Sequence, residues 1–175
     1  MTQKDFILFL QKSCHIERQQ CTTLLNTLGR LMADAGVDQI PVTLPGLGTF
    51  TSHKHPEYIK EDPVTGQQTL YPPRVTYRMQ SVEEGTAPND ALARQLSELT
   101  QTPLDDVKRF IAGLVEGLLT VMRRGEAVDI KGIGSFRIIS SNQGDLQRVA
   151  YMPDEQMKEK VNAPFSFFEP VTIHK

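Results

Sequence analysis

The segment LPGLGTF at residues 44–50 returns as IKGIGSF at residues 130–136, an offset of 86. A five-residue echo alone would constrain little, but the same offset holds upstream without a gap. Leu24 and Leu25 fall on Phe110 and Ile111, Leu28 on Leu114, Met32 on Leu118, and Val42 and Leu44 on Val128 and Ile130. Further back, Phe6 and Leu10 fall on Leu92 and Leu96. Apolar positions meet apolar positions from Phe6 to Phe50, so the chain reads as one unit written twice.

Each copy follows the same order. In the second, Leu92, Leu96 and Leu99 form the i, i+4, i+7 stripe of a first helix. Thr102 and Pro103 supply an N-cap and a proline at the first helical position, with Asp105 and Asp106 in the first turn. A broad apolar stripe follows from Val107 to about Met122. Arg123 and Arg124 suit the helix C-terminus and Gly125 the position after it. Val128 and Ile130 then alternate with Asp129 and Lys131, in and out along a strand. The first copy predicts helices over about 3–12 and 17–35, ended by Gly36, and a strand over 41–44. Two helices against an antiparallel sheet make an α+β unit.

The repeated motif sits between two extended segments. Its glycines supply φ > 0 for a tight hairpin, and Phe50 and Phe136 re-enter the core on the second strand. A dinucleotide fingerprint would need a third glycine and a helix directly after it, so no cofactor is expected.

After Phe50 comes TSHKHPEYIKEDPVTGQQTLYPPRVTY. The order helix, helix, strand, GxGTF and long arm resembles the HU/IHF family of bacterial DNA-bending proteins. The family's arm tip reads roughly Arg-Asn-Pro-x-Thr-Gly at this distance from the phenylalanine. Here the tip is Glu61-Asp62-Pro63-Val64-Thr65-Gly66. The resemblance covers residues 2–78 and, with a shortened arm, 90–162. In the second copy Tyr151 is the aromatic matched to Tyr77, and Asn142 to Asp145 would close the short hairpin. MPDEQMKEKVN resembles the family's last helix, opened by Pro153 with Asp154 and Glu155 early and Lys158 and Lys160 late.

The resemblance implies two tandem HU/IHF-like units, each a helix–helix hairpin plus an antiparallel β-sheet with a β-ribbon arm. Family members work as intertwined homodimers, so the tandem copies imply an intramolecular pseudo-dimer. Linking two small units raises their effective concentration to roughly the millimolar range. The expected divisions are 1–78, a unit with a long arm; 79–89, a linker; 90–162, a unit with a short arm and terminal helix; and 163–175, an aromatic and proline-rich tail.

The resemblance also implies an architectural, nucleoid-associated protein that binds double-stranded DNA without sequence specificity. Arms enter the minor groove, and an arm-tip proline wedges between base steps and bends the duplex. Carried over by position, the wedge is Pro63, with Thr65 and Gly66 shaping the tip. DPVTG is also a good turn sequence in its own right, which leaves a plain turn proline open. The other candidate DNA-binding residues are Lys54, Lys60, His53, His55, Arg74 and Arg78.

Charge argues the other way. The chain carries 19 Lys and Arg against 21 Asp and Glu, a net charge of −2, where a nucleic-acid binder usually shows a basic surplus. Where family arms carry arginines, this chain has His53, His55, Tyr58 and Glu61. The arm's Lys54, Lys60, Arg74 and Arg78 face Glu57, Glu61 and Asp62. Its cations could be ordinary solvated charges. His53 and His55 share a strand face and could be packed or solvated, DNA-facing, or a metal pair, although no third ligand is evident. Facing DNA, they would make binding pH-sensitive, since histidine changes charge between pH 5 and 8.

A contrasting reading keeps the fold as a protein-interaction module with weak or no DNA binding. Phe165, Phe167 and Phe168, flanked by Pro164 and Pro170, would then dock on a partner, or else pack on their own chain as an added edge strand. No catalytic elbow, zinc spacing or P-loop is legible, so no enzyme and no metal are expected. Cys14 and Cys21 read as reduced, packed thiols. FILFL is too short for a signal or membrane segment, which suggests a cytoplasmic protein.

Overall fold

Thr2 begins the first helix: its Oγ1 accepts from the Asp5 N–H at 3.3 Å, satisfying one of the free amides of the first turn. The protein was analysed as a computed structural model that describes residues 1–81, 90–140, 147–166 and 168–174. The first unit contains α1 (Gln3–Cys14), α2 (Arg18–Val37), β1 (Val42–Leu44), β2 (Gly48–His55), β3 (Tyr58–Glu61), β4 (Gln68–Tyr71) and β5 (Arg74–Ser81). The second contains α3 (Asp90–Thr100), α4 (Leu104–Arg123), β6 (Val128–Ile130), β7 (Gly134–Ser140), β8 (Gln147–Pro153) and α5 (Glu155–Val161). A 3₁₀ turn, Ala163–Phe165, and β9 (Val171–Ile173) follow. This is an α+β fold of two helix-plus-sheet units.

The repeat extends to backbone geometry. His15 after α1 and Gln101 after α3 both take φ of 54°, and Gly46 and Gly132 in the two turns take 86° and 87°. Val42, Thr43 and Leu44 pair with Phe50, Thr49 and Gly48; Val128, Asp129 and Ile130 pair with Phe136, Ser135 and Gly134 in the same register. The first glycine of each motif thus supplies the left-handed turn residue that a side chain would strain. The sheets run β1-β2-β5 and β6-β7-β8.

The units share one core. α1 packs on α4, while α5 crosses to pack on α2 and β5 of the first unit. Asn162 at the end of α5 clamps β5, its Oδ1 accepting from the Val75 N–H at 2.7 Å and its Nδ2 donating to the Val75 carbonyl at 2.9 Å. At the start of the chain, Gln3 Oε1 accepts from the Lys131 N–H at 2.9 Å. Phe50 and Phe136 are fully buried and meet edge to face at 6.2 Å between ring centroids. Tyr151 stands 5.0 Å from Phe50 and 5.1 Å from Phe136, and Tyr77 stacks on Phe50 at 6.1 Å. The two helix-plus-sheet units are therefore held together by aromatic rings contributed from both.

Several details differ from the sequence reading. Gly36 does not end α2; it lies inside the helix, buried, where an added Cβ would meet Val161 Cγ1 at 2.8 Å and the Tyr77 ring at 3.2 Å. Close packing of α2 on α5 and β5, not helix termination, selects glycine there. Thr102 does not cap α4: Pro103 holds that position, and the buried Thr102 hydroxyl accepts from Thr100 Oγ1 at 2.9 Å. Pro153 ends β8 and Asp154 caps α5, accepting from the Met157 N–H at 2.8 Å and the Gly132 N–H at 2.5 Å. Tyr151 pairs with Phe136, whereas Phe50 pairs with Met79, so Met79 rather than Tyr77 is its counterpart. Gly125, with φ of 85°, does follow α4, and its N–H donates to the Met122 carbonyl at 2.9 Å. Cys14 and Cys21 are free and buried, and burial pushes the Cys21 thiol up to about 11. The expected hairpin closure at Asn142 to Asp145 and residues 82–89 of the expected linker lie outside the described residues, while residues 79–81 of that linker pair with β2 as the end of β5.

Burial pushes both tyrosine hydroxyls well above the usual range, but their satisfaction differs. Tyr151 Oη donates to the Ile133 carbonyl at 2.6 Å, and Tyr77 Oη has no partner among the described residues. Urea unfolding should find Tyr77→Phe neutral or more stable by about 1 kcal/mol, and Tyr151→Phe less stable by about 1 kcal/mol.

Candidate nucleic-acid interface

The arm of the first unit is a ribbon in two segments. The β2–β5 ladder ends at the His55–Arg74 pair, and the β3–β4 ladder resumes at Tyr58–Tyr71. Between them stand Pro56, Pro72 and Pro73, which cannot donate to a ladder and so interrupt it. Beyond the break the Tyr58 and Tyr71 rings stack at 5.0 Å. Lys60 and Thr69 are a directly opposed pair on that same face.

At the tip, Asp62 does more than subtract charge. Its Oδ1 accepts from the Val64 N–H at 2.8 Å and the Thr65 N–H at 3.3 Å, and its carbonyl accepts from the Gly66 N–H at 2.8 Å. Thr65 Oγ1 accepts from the Gln67 N–H at 3.3 Å, and Gly66 has φ of 70°. The turn at the tip thus includes the Thr65 hydroxyl bond and the left-handed Gly66 backbone. These bonds turn the chain around Pro63 and leave the proline exposed, with Val64 beside it 90% exposed. The backbone donors hold the Asp62 carboxyl below its usual range.

Nearer the body, strand register sorts the candidates by face. Thr51 opposes Arg78, His53 opposes Thr76 and His55 opposes Arg74. Directly opposed residues share a face, so His53, His55, Arg74 and Arg78 lie together on the outer side of the sheet. His55 Nε2 lies 3.1 Å from Thr76 Oγ1, and His53 Nε2 lies 3.3 Å from Thr51 Oγ1. Among the described residues no cluster of His, Cys, Asp or Glu could hold a metal ion. Lys54 points to the opposite side, its Nζ 5.1 Å from the centre of the Phe165 ring. The structure thus separates Lys54 from the other arm cations.

Two residues missed in the sequence join this surface. On the second sheet, Phe136 and Tyr151 face the shared core, so Arg137, paired with Ala150, and Arg148, paired with Ile139, face outward. Both are exposed. β5 and β8 lie side by side where the sheets meet, so the outer faces flank one seam. Across the described strands of the two sheets, these faces carry four arginines and one acid, Asp129, which lies on the edge strand β6 and accepts from Ser135 Oγ. The signal for Arg137 was present: one residue after Phe136, it must face away from the core in a strand. Arg148 depended on the pairing register of β7 and β8.

The tail adds the edge strand. β9 pairs antiparallel with β4, Leu70, Thr69 and Gln68 facing Val171, Thr172 and Ile173. Phe165 is partly buried against the core and the arm base, Phe168 is 60% exposed, and Phe167 lies outside the described residues.

Helix hairpin, three-stranded sheet, glycine turn and extended ribbon together define an HU-like protein. Residues 1–84 match the sequence model of the family described as "Bacterial DNA-binding protein". This part of the chain belongs to that family, whose members are DNA-binding architectural proteins and not enzymes. A search of curated proteins found no match. Among the described residues no helix is long and apolar enough to cross a membrane.

Because the folded Asp62 pKa is depressed, the carboxylate's support for the tip is complete above the ordinary carboxylate range and is lost as pH falls through the folded value. Amide chemical shifts of Val64 and Thr65 should hold steady from pH 7 to about 5 and move together on further acidification. Asp62→Ala should show the displaced shifts already at pH 7.

Proposed function

We propose that this protein binds double-stranded DNA without sequence specificity, as a bacterial cytoplasmic, nucleoid-associated architectural protein. The arm follows the minor groove, Pro63 wedges at a base step, and the outer sheet faces meet flanking phosphates. The single observation that carries this reading is the sorting of charge. In a chain of net charge −2, the faces beside the arm gather Arg74, Arg78, Arg137 and Arg148. Unstacking at the wedge costs a few kcal/mol per step, and the added phosphate contacts on bent DNA offset it. With so few cations the complex is weak and each phosphate contact adds about −0.9 to its log–log salt slope, with a Kd of roughly 10⁻⁴–10⁻⁶ M for non-specific duplex at physiological salt. Divided at 1–78, 79–89, 90–162 and 163–175, the chain supplies one long arm and one short one, so its hold on DNA is one-sided.

The alternative, a protein-interaction module docking through Phe165, Phe167 and Phe168, has the acidic sum in its favour. The basic sheet faces favour DNA over it, and Phe165 is already engaged with Lys54.

Fluorescence anisotropy with nicked duplex DNA across a salt series tests the proposal. Wild type should bind at low salt. Arg137→Gln with Arg148→Gln should reduce the magnitude of the log–log salt slope by about 1.8, at about 0.9 per phosphate contact. Pro63→Ala should keep that slope and lose the preference for nicked over intact duplex. No binding at 25 mM salt would leave the protein-interaction reading.

A further inference from the structure

We propose that β9 is a built-in competitor of DNA for the arm, a strap that must leave β4 before the ribbon can enter a minor groove. The inference rests on the DNA-binding reading above and concerns its regulation. Its basis is width. Adjacent strands lie about 4.8 Å apart, so a two-stranded ribbon spans one spacing and the β3-β4-β9 sheet spans two, about 10 Å between outer backbones. The B-DNA minor groove is about 6 Å wide. The third strand therefore makes the distal arm too broad for the groove that its tip would enter.

The strap is built to be released. β9 has three residues on a sheet edge, and Val171 is 58% exposed. A short, exposed pairing of this kind belongs to the least stable part of a fold. What precedes β9 is fixed more firmly. Asn162 bonds both backbone groups of Val75, and Phe165 lies beneath Lys54. These anchors lie only a few residues before Val171 in the chain, which keeps a detached β9 close to β4. Charge points the same way: Glu169 lies with Glu57 around a cleft at the arm base, adding negative charge where phosphates would pass. Removing β9 leaves a plain two-stranded ribbon.

Apparent affinity falls by the fraction of molecules in the competent state, so a strap docked about nine-tenths of the time weakens binding about tenfold. A shortened chain and a full-length variant test this with nicked duplex at low salt. A chain ending at Phe168 lacks β9 and keeps the Asn162 clamp and Phe165; it should bind about tenfold tighter than wild type. In Thr69→Cys with Thr172→Cys, the new thiols are directly opposed. The oxidised form should bind at least about tenfold more weakly than its reduced form. Equal or weaker binding by the shortened chain, or equal binding by the oxidised and reduced forms, would overturn the strap while leaving DNA binding intact. Failure of every form to bind, the shortened chain included, would overturn the DNA reading and the strap with it.

Discussion

Everything in this molecule depends on the contact among Phe50, Phe136, Tyr77 and Tyr151. Each unit has an open sheet face that a chain of its size cannot cover with two helices alone. The rings close the two faces against one another, and Phe50 touches both Phe136 and Tyr151 of the other unit. Burying a ring of this size contributes about 1.5–3 kcal/mol. The contact also fixes orientation. With the aromatic faces turned inward, the alternate residues of β2, β5, β7 and β8 must turn outward, which is where the arginines are. One interaction thus stabilises the core and sets the charged surface.

The crossing of α5 strengthens the same arrangement. The helix that ends the second unit packs on α2 and β5 of the first, so neither unit is complete alone. Gly36 allows that approach, because a methyl group there would collide with Val161 and Tyr77. Asp154 joins the start of α5 to the second glycine turn through the Gly132 N–H. The repeated motif therefore has different surroundings in its two copies, and a local turn signal has become part of the interface between units.

The arm shows how a near-neutral sequence can carry a one-signed surface. Lys54 and the histidines beside it alternate, so Lys54 turns to the tail while His53 and His55 turn outward with Arg74 and Arg78. Summing charge along the arm hides this division. Asp62, which looks like a simple penalty in such a sum, organises the turn that presents Pro63. Beyond the proline break, β4 pairs with β3 on one side and takes the tail's β9 on its other edge.

Much of the fold was legible because it rests on local rules. Apolar periodicity located the helices, the GxG turns fixed where each first hairpin reverses, and Phe50 and Phe136 were placed in the core. The offset of 86 gave two units, and the order of elements together with the Pro63-Val64-Thr65-Gly66 tip gave the resemblance of residues 2–78 to a DNA-binding family. Helix ends and the Tyr151 match were less secure, since close packing at Gly36 and strand register at Met79 decided them. For the proposed interface, the sequence supplied as candidates Pro63, the two histidines and the arm cations. It left Arg137 and Arg148 unremarked, and it could not divide Lys54 from its neighbours. The sequence by itself determined the repeated helix–strand units, their turns and the exposed tip, because each depends on residues close together in the chain. Only the tertiary structure decided which cations share a face, which helix completes which unit, and that the tail joins the arm, because strand register and packing between distant segments set those relations.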